Sequence, residues 1–348
     1  DVAHMLAGIG QIYHTQGKLE EALSYYQQAL SMRKTIYDGN HPDVALSLGF
    51  IGGVYQSQGR LEEALSYYQQ ALSMRKAIYH GNHQDIAYSL VDIGHVYHAQ
   101  GKFEEALNYH QQALSMRKAI YHGNHTDIAH SLGFVGGVYL AQGKFEEARS
   151  YYEQALMMQK TIHRGDHPGV ANSLCCIGHI YHNQGKHPEA LSYYQQALSM
   201  YRAIHGSKHP HVAHSLGCIG HLYHTQGNFE EALNYHKQAL IIRVRTMNMD
   251  NPDVAHNLVC IGHVYNDQKK YEKALICHQQ ALVIRRAVYG NNNLNVAYSF
   301  DCVAEVYHAQ GKYEEERSCR ERAFLKTSHP DVARSIFGLG ELYEDQER

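Results

Sequence analysis

The chain has 348 residues, of which 44% are hydrophobic, and a formal net charge of −3 at pH 7. This nearly neutral balance provides no electrostatic attraction to nucleic acid or to anionic membranes, so we predict that the chain binds neither. No apolar run approaches the ~20 residues of a membrane-spanning helix, and no signal-peptide pattern opens the sequence. The composition is therefore that of an ordinary folded protein.

An internal repeat organises the sequence. The opening Asp1-Val2-Ala3 recurs, with substitutions, every 42 residues, and a fixed period of this size is typical of stacked supersecondary units. We therefore predict one continuous domain over residues 1–348. Because Asp1 already lies in a helical pattern, we expect the chain to be cut from a longer array. The predicted repeats are 1–42, 43–84, 85–126, 127–168, 169–210, 211–252, 253–294, a shorter copy at 295–330 and a partial copy at 331–348.

Each repeat is predicted to form two antiparallel α-helices, of which the second is longer. In the repeat 43–84, apolar residues follow helical spacing in two runs. Between them lies Gly59, a residue that readily adopts the left-handed conformation that ends a helix. Several repeats begin near a proline such as Pro42, which suits the first turn of a helix. Lys and Arg residues recur mainly at the turn and at the end of the second helix, beside Glu pairs, and this pattern indicates a solvated surface.

Small residues predict close contacts between helices. Position 10 of the first eight repeats is glycine in every copy except the eighth, which has Ala304. A glycine inside a helix costs roughly 1 kcal/mol relative to alanine, so its recurrence needs a packing reason. A tyrosine recurs three positions later, beginning with Tyr13, and we predict that these rings fill the core beside the small residues.

The repeat carries, in this order, Leu48, Ile51, Gly52, Tyr55, Gly59, Ala64, Tyr68 and Ala71. With these residues it resembles the tetratricopeptide repeat, and its 42-residue spacing with the HPDVA joint resembles the longer variant of kinesin light chains and related adaptor or sensor arrays. The resemblance implies an all-α, right-handed α-solenoid (superhelix) of tandem antiparallel helix pairs, with the first helices lining a concave groove. It also implies a protein-protein interaction scaffold or adaptor.

Histidine dominates the predicted groove. Positions 4, 11 and 14 lie on one face of the first helix, and from the third to the seventh repeat most of them are histidine. The groove becomes acidic at Glu305, Glu341 and Glu344. We predict that a partner peptide or segment binds His95, His98, His130, Asn172, His179, His182, His214, His221, His224, His256, His263 and Asn266.

Three interpretations of the histidines compete. They offer hydrogen-bond donors, acceptors and stacking faces to a peptide, or they form a polar, solvated lining inherited by duplication. Alternatively, H-x-x-H pairs such as His179 and His182 share a metal ion. No carboxylate or thiolate is predicted beside these pairs, so we predict no metal site. With a reference pKa near 6.5, the 28 histidines are expected to make the chain cationic below about pH 6.

The family comparison also bears on the ligand. Peptide-binding members commonly carry asparagine near positions 7 and 8 and basic residues in the groove, whereas this chain has pairs such as Gly49-Phe50 and Gly217-Cys218 there. We therefore expect an aromatic, apolar or neutral partner segment rather than an acidic one.

Other classes of function have less support. The sequence contains no Gly-rich phosphate loop, no H-E-x-x-H motif and no nucleophile elbow, so we predict neither enzymatic activity nor a cofactor. The alternative to a scaffold is the sensor array of a larger signalling protein whose effector domain lies outside this fragment. A metal or pH sensor built from the histidines is the third hypothesis. The identity of the partner and the oligomeric state stay open.

Cysteine usage predicts the compartment. Cys176, Cys218, Cys260 and Cys302 follow the 42-residue period, and equivalent positions of successive repeats lie too far apart for disulfides. The odd total of seven favours reduced thiols, so the predicted localisation is cytoplasmic.

Two repeats depart from the pattern. Lys269 replaces the turn glycine of the seventh repeat, which predicts a less tightly formed turn. In the eighth, Glu316 and Arg320 replace the usual alanine and aromatic ring. These charges indicate either a partly exposed repeat that contacts something outside the array or a degenerate repeat near the end of the array.

Overall fold

A computed structural model describes residues 2–247, 249, 251–291 and 293–324, and these residues form sixteen α-helices without a β-strand. Turns of three residues join the two helices of each repeat, and the second helix is longer in each of the first seven pairs. The predicted all-α array of tandem helix pairs is therefore confirmed. The helices are α1 (Val2–Thr15), α2 (Leu19–Ile36), α3 (Pro42–Ser57), α4 (Leu61–Ile78), α5 (Gln84–Ala99), α6 (Phe103–Ile120), α7 (Thr126–Ala141), α8 (Phe145–Ile162), α9 (Pro168–Asn183), α10 (His187–His205), α11 (Pro210–Thr225), α12 (Phe229–Met247), α13 (Pro252–Asp267), α14 (Tyr271–Tyr289), α15 (Leu294–Ala309) and α16 (Tyr313–Phe324).

The chain divides into two compact units, Asp1–Gly165 and Asp166–Arg348. Within each unit, the two helices of a repeat pack together, and the second helix also packs on the first helix of the next repeat. In the second unit the first helices contact one another in the order α9, α11, α13 and α15. One continuous domain over 1–348 stays a prediction.

Histidine side chains begin most of the first helices. The Nδ1 atom of His41 accepts a hydrogen bond from the backbone N–H of Asp43 at 3.2 Å, and the imidazole stacks on Tyr37 with ring centroids 3.4 Å apart. This bond satisfies one of the N–H groups that the start of a helix leaves unpaired. Pro42 occupies the first turn as predicted, whereas the capping role of the histidine was not predicted. The equivalent caps are His83, His125, His167, His209, Asn251 and Asn293.

The position-10 glycines lie directly beneath an aromatic ring of the second helix. A Cβ atom added to Gly52 would lie 2.9 Å from the ring of Tyr68, and one added to Gly262 would lie 2.5 Å from the ring of His278. The predicted close contact is confirmed. The position-13 tyrosines pack in or against the hydrophobic core as predicted, but they do not fill the space over the glycines. Those tyrosines stack instead on a neighbouring ring, as Tyr97 does on Tyr109 with centroids 5.4 Å apart.

A buried arginine links successive repeats. Arg33 at the end of α2 is 3% exposed, and its Nη1 atom donates to the carbonyl oxygen of Asp43 at 3.0 Å and to Ser47 Oγ at 2.6 Å. Both acceptors belong to α3. The prediction of a solvated surface is therefore wrong for this position, which ties one helix pair to the next. The same arrangement recurs at Arg75, Arg117 and Arg285.

The two irregular repeats keep the same construction. Lys269 has a positive φ of 59°, and its N–H donates to the carbonyl of Asn266 at 2.8 Å, so the turn is formed and the prediction of a looser turn is wrong. Glu316 is 1% exposed and accepts hydrogen bonds from Arg320 at 2.8 Å and His308 at 2.9 Å. The expectation of an exposed charge is wrong for Glu316, because its partners lie within the same repeat. The predicted repeat 331–348, with Glu341 and Glu344, lies outside the described residues.

Candidate functional site

A cavity of about 340 Å³ opens on the first helices of the second unit. Most of its walls come from the first helices α9, α11, α13 and α15. The second helices α10 and α12 contribute three side chains. Its lining is rich in imidazoles, as the sequence predicts for this face. The lining residues are His179, Tyr194, His214, Gly217, Cys218, His221, His224, His236, Arg243, His256, Asn257, Val259, Cys260, His263 and Tyr298.

Half of the predicted groove residues line this cavity. Asn172, His182 and Asn266 belong to the second unit but lie outside the lining, and the other three predicted residues are in the first unit. The six that the structure brings together are His179, His214, His221, His224, His256 and His263.

At one end of the cavity, His179 is held between a tyrosine and a cysteine. Its Nδ1 atom lies 2.8 Å from the hydroxyl of Tyr194, which is completely buried in α10, and its Nε2 atom lies 3.6 Å from Cys218 Sγ. The Nε2 atom of His214, one helical turn before Cys218 on α11, lies 3.7 Å from the same sulfur. The expectation that no thiol lies beside the histidine pairs is wrong for His179.

Several of the remaining imidazoles are paired with residues of the following repeat. His224 Nε2 lies 2.7 Å from a carboxylate oxygen of Asp267, and His182 Nε2 lies 3.1 Å from the hydroxyl of Thr225. His263 Nε2 lies 3.4 Å from the hydroxyl of Tyr298. Consecutive first helices are thus connected along this face by side-chain hydrogen bonds.

Several of the cavity histidines have lowered pKa values. Burial, with smaller contributions from the neighbouring imidazoles, lowers the pKa of His179 to about 4. The pKa values of His214, His221 and His256 are also lowered, chiefly because surrounding protein atoms displace water from the imidazoles, although each residue keeps an exposed part. The prediction that the histidines make the chain strongly cationic below about pH 6 is wrong for these residues, since desolvation disfavours the charged imidazolium.

The corresponding face of the first unit is built differently. His95 packs edge-on against Phe134, with ring centroids 4.6 Å apart, and against His110 at 4.9 Å. Burial lowers the pKa of His95 to about 4. Phe134 occupies the repeat position that Cys218 has in the second unit, so the same histidine line contacts a ring in one unit and a thiol in the other.

Sequence analysis missed Cys218, Tyr194 and Arg243 as residues of this site. A usable signal for Cys218 was present, because repeat positions 4, 8 and 11 follow the helical spacing of one face. No comparable signal existed for Tyr194 and Arg243, which reach the cavity from second helices.

The chain belongs to the tetratricopeptide-repeat family. The family model matches residues 1–77, 85–161, 169–243 and 253–324. This family is in general a non-enzymatic scaffold whose members bind protein partners. The resemblance drawn from the spacing and the small residues is confirmed. No curated protein sequence matches the chain.

Solved structures with a similar fold include kinesin-light-chain-like proteins. BtubC (BKLC) from P. vanneervenii is 20% identical, with a TM-score of 0.55 over 68% of this chain and 92% of that one. A putative kinesin light chain from Podospora anserina with nearly identical TPR-like repeats is 20% identical, with a TM-score of 0.50 over 58% and 96%. The apo form of RapI is 17% identical, with a TM-score of 0.58 over 84% and 99%. At these identities the similarity shows the fold alone.

Two further findings concern the environment of the chain. All seven cysteines lie in the described part of the chain, and none of them forms a disulfide there. In the described part of the chain, every helix is too short or too polar to cross a membrane.

Proposed function

We propose that this chain is an interaction scaffold that holds a segment of a partner protein on the first helices of its second unit. The observation that carries the proposal is the cavity of about 340 Å³, which is large enough to enclose one or two side chains of a bound segment. Proteins usually bind their ligands in concave sites that have a few convergent polar groups. The family membership supports the same class of function.

The lining favours an uncharged partner segment. The imidazoles of His214, His221 and His256 are exposed enough to be reached, and with lowered pKa values they act as neutral donors and acceptors. Tyr298 is 46% exposed and offers a ring for stacking. Arg243 is 7% exposed, and its guanidinium already donates to the carbonyl of Asp253, so it does not supply an open cationic site. An aromatic, apolar or neutral segment complements this surface.

A peptide-display selection tests the proposal. The full chain is presented at neutral pH with a reducing agent and a chelator, so that any enriched sequence binds without a metal. Enriched peptides are then measured by fluorescence anisotropy against the double variant His221→Ala/His256→Ala. Both residues are exposed, so the variant is expected to fold. The matched control is His4→Ala, which removes an exposed histidine at the same repeat position as His256 but far from this cavity in sequence.

The expected result is one convergent motif whose affinity falls at least about tenfold in the double variant, a change of about 1.4 kcal/mol, and is unchanged in the control. Failure to enrich a motif, or a motif that binds the double variant as tightly as the unsubstituted chain, would overturn the cavity as the binding site.

The sensor array of a larger signalling protein stays the alternative prediction, and sequence on either side of residues 1–348 tests it directly. We also propose a cytoplasmic location, which the seven cysteines outside disulfides support.

A further inference from the structure

Three side chains of the second unit converge in the manner of a metal site. His179 of α9 and His214 and Cys218 of α11 each offer one ligand atom, and these three atoms lie within 4.8 Å of one another. In the described part of the chain, this is the only group of three or more His, Cys, Asp and Glu side chains that meets this condition.

The spacing between nitrogen and sulfur fits tetrahedral zinc. Zn–S bonds of about 2.3 Å and Zn–N bonds of about 2.0 Å place the two ligand atoms about 3.5 Å apart at a tetrahedral angle. The observed separations from Cys218 Sγ are 3.6 Å to His179 Nε2 and 3.7 Å to His214 Nε2. His214 is exposed, so its ring has room to adjust to the ion.

A second residue orients the first ligand. Metal-bound imidazoles nearly always donate their other N–H to an oxygen, which fixes the tautomer and aims the free lone pair at the ion. The hydroxyl of Tyr194 lies 2.8 Å from His179 Nδ1, on the opposite side of the ring from Cys218. Tyr194 is itself completely buried over Gly178, where a Cβ atom would lie 2.7 Å from its ring. This packing holds the hydroxyl in place.

The two following joints, meaning the contacts between the first helices of successive repeats, lack this arrangement. At the next joint, Cys260 Sγ lies 3.8 Å from His256 Nε2, but His221 does not complete a three-ligand group. At the joint after that, Cys302 Sγ lies 3.9 Å from His263, and a tyrosine replaces the second histidine. Repetition alone therefore does not account for the convergence at Cys218.

We propose that His179, His214 and Cys218 bind one Zn²⁺ ion. The S–H bond of Cys218 breaks as the thiolate binds the ion, and its proton passes to the solvent. The two imidazoles bind in their neutral forms, with Nδ1–H of His179 donating to Tyr194. The fourth position faces the cavity and takes a water molecule. Imidazole nitrogen and thiolate sulfur are ligands that zinc takes, and three protein ligands with a water in the fourth position is the arrangement of open zinc sites.

A zinc titration of the chelator-stripped, reduced full chain tests this assignment. Imidazole in the buffer suppresses weak binding by isolated surface histidines, and a chromophoric chelator reports the tightest site. The test variants are Cys218→Ser, His214→Asn and Tyr194→Phe. The matched controls are Cys302→Ser, at the same repeat position as Cys218 with one imidazole neighbour, and His4→Asn, at the same repeat position as His214. Circular dichroism of each metal-free variant checks that it is folded.

The expected result is one tight site per chain that is lost in Cys218→Ser and His214→Asn and kept in both controls. Tyr194→Phe keeps the ring over Gly178 but removes the oxygen, so zinc affinity is expected to fall about 10- to 100-fold with the metal-free fold intact. Cobalt substitution adds a direct readout, because a cobalt–thiolate charge-transfer band must appear in the unsubstituted chain and disappear in Cys218→Ser. The absence of a tight site, or a tight site that survives in folded Cys218→Ser, overturns the proposal. A failure of this test leaves the peptide selection unaffected, since that selection is performed with chelator present.

Discussion

Acid should destabilise this fold through histidines that replace tyrosine over the helix glycines. His278 of α14 is completely buried against Gly262, and neither of its ring nitrogens has a hydrogen-bond partner among the described residues. Burial lowers the pKa of His278 to about 3, with smaller contributions in the same direction from His263 and Arg285. The imidazole is therefore neutral in the folded chain.

The sign and size of this pH effect follow from the difference between the pKa of His278 in the folded and in the unfolded chain. Above pH 6.5 the imidazole is neutral in both the folded and the unfolded state, so pH has no effect through it. Below pH 6.5 the unfolded state binds a proton first, and stability falls until the folded pKa of about 3 is reached. With these two values, the free energy of unfolding drops by about 2 kcal/mol between pH 7.5 and pH 5.0 through this one residue.

The assay compares the unsubstituted chain with His278→Tyr, which installs the ring that four other repeats carry. Urea unfolding is followed by circular dichroism at pH 7.5 and 5.0 at fixed ionic strength. The variant should lose about 2 kcal/mol less than the unsubstituted chain on acidification, and Tyr68→His should lose about 2 kcal/mol more. A difference between the chain and His278→Tyr that stays constant between the two pH values would refute the reasoning, because it would mean that the imidazole takes up a proton without unfolding.

Two further predictions concern the backbone. Gly49→Ala and Gly52→Ala lie in the same helix, but the added Cβ meets nothing within 4 Å at Gly49 and lies 2.9 Å from the Tyr68 ring at Gly52. Both substitutions gain about 1 kcal/mol of helix propensity, but only Gly52→Ala overpacks the core. Urea unfolding should therefore give Gly49→Ala a free energy of unfolding about 1–3 kcal/mol higher than that of Gly52→Ala. Equal stabilities of the two variants would contradict the assigned contact. Lys269→Gly should raise the unfolding free energy by about 1 kcal/mol, because Lys269 has a φ of 59°, and an unchanged midpoint would show that this turn is not strained.

The sequence alone determined the repeat, its two helices and their boundaries, because these depend on local preferences. Apolar spacing, the left-handed turn at residues such as Gly59 and the proline in the first turn act within one helix pair. The recurrence of a costly glycine even predicted the close contact at Gly52 before its partner was known.

Only the tertiary structure decided which side chains meet across helices. The ring over Gly52 is Tyr68 rather than Tyr55, and Arg33 lies in a joint rather than in solvent. His179 and Cys218 are 39 residues apart and reach each other from different repeats. Such contacts depend on the angle and register at which one helix packs on another. The packing of many side chains together sets this geometry, and no local sequence pattern encodes it.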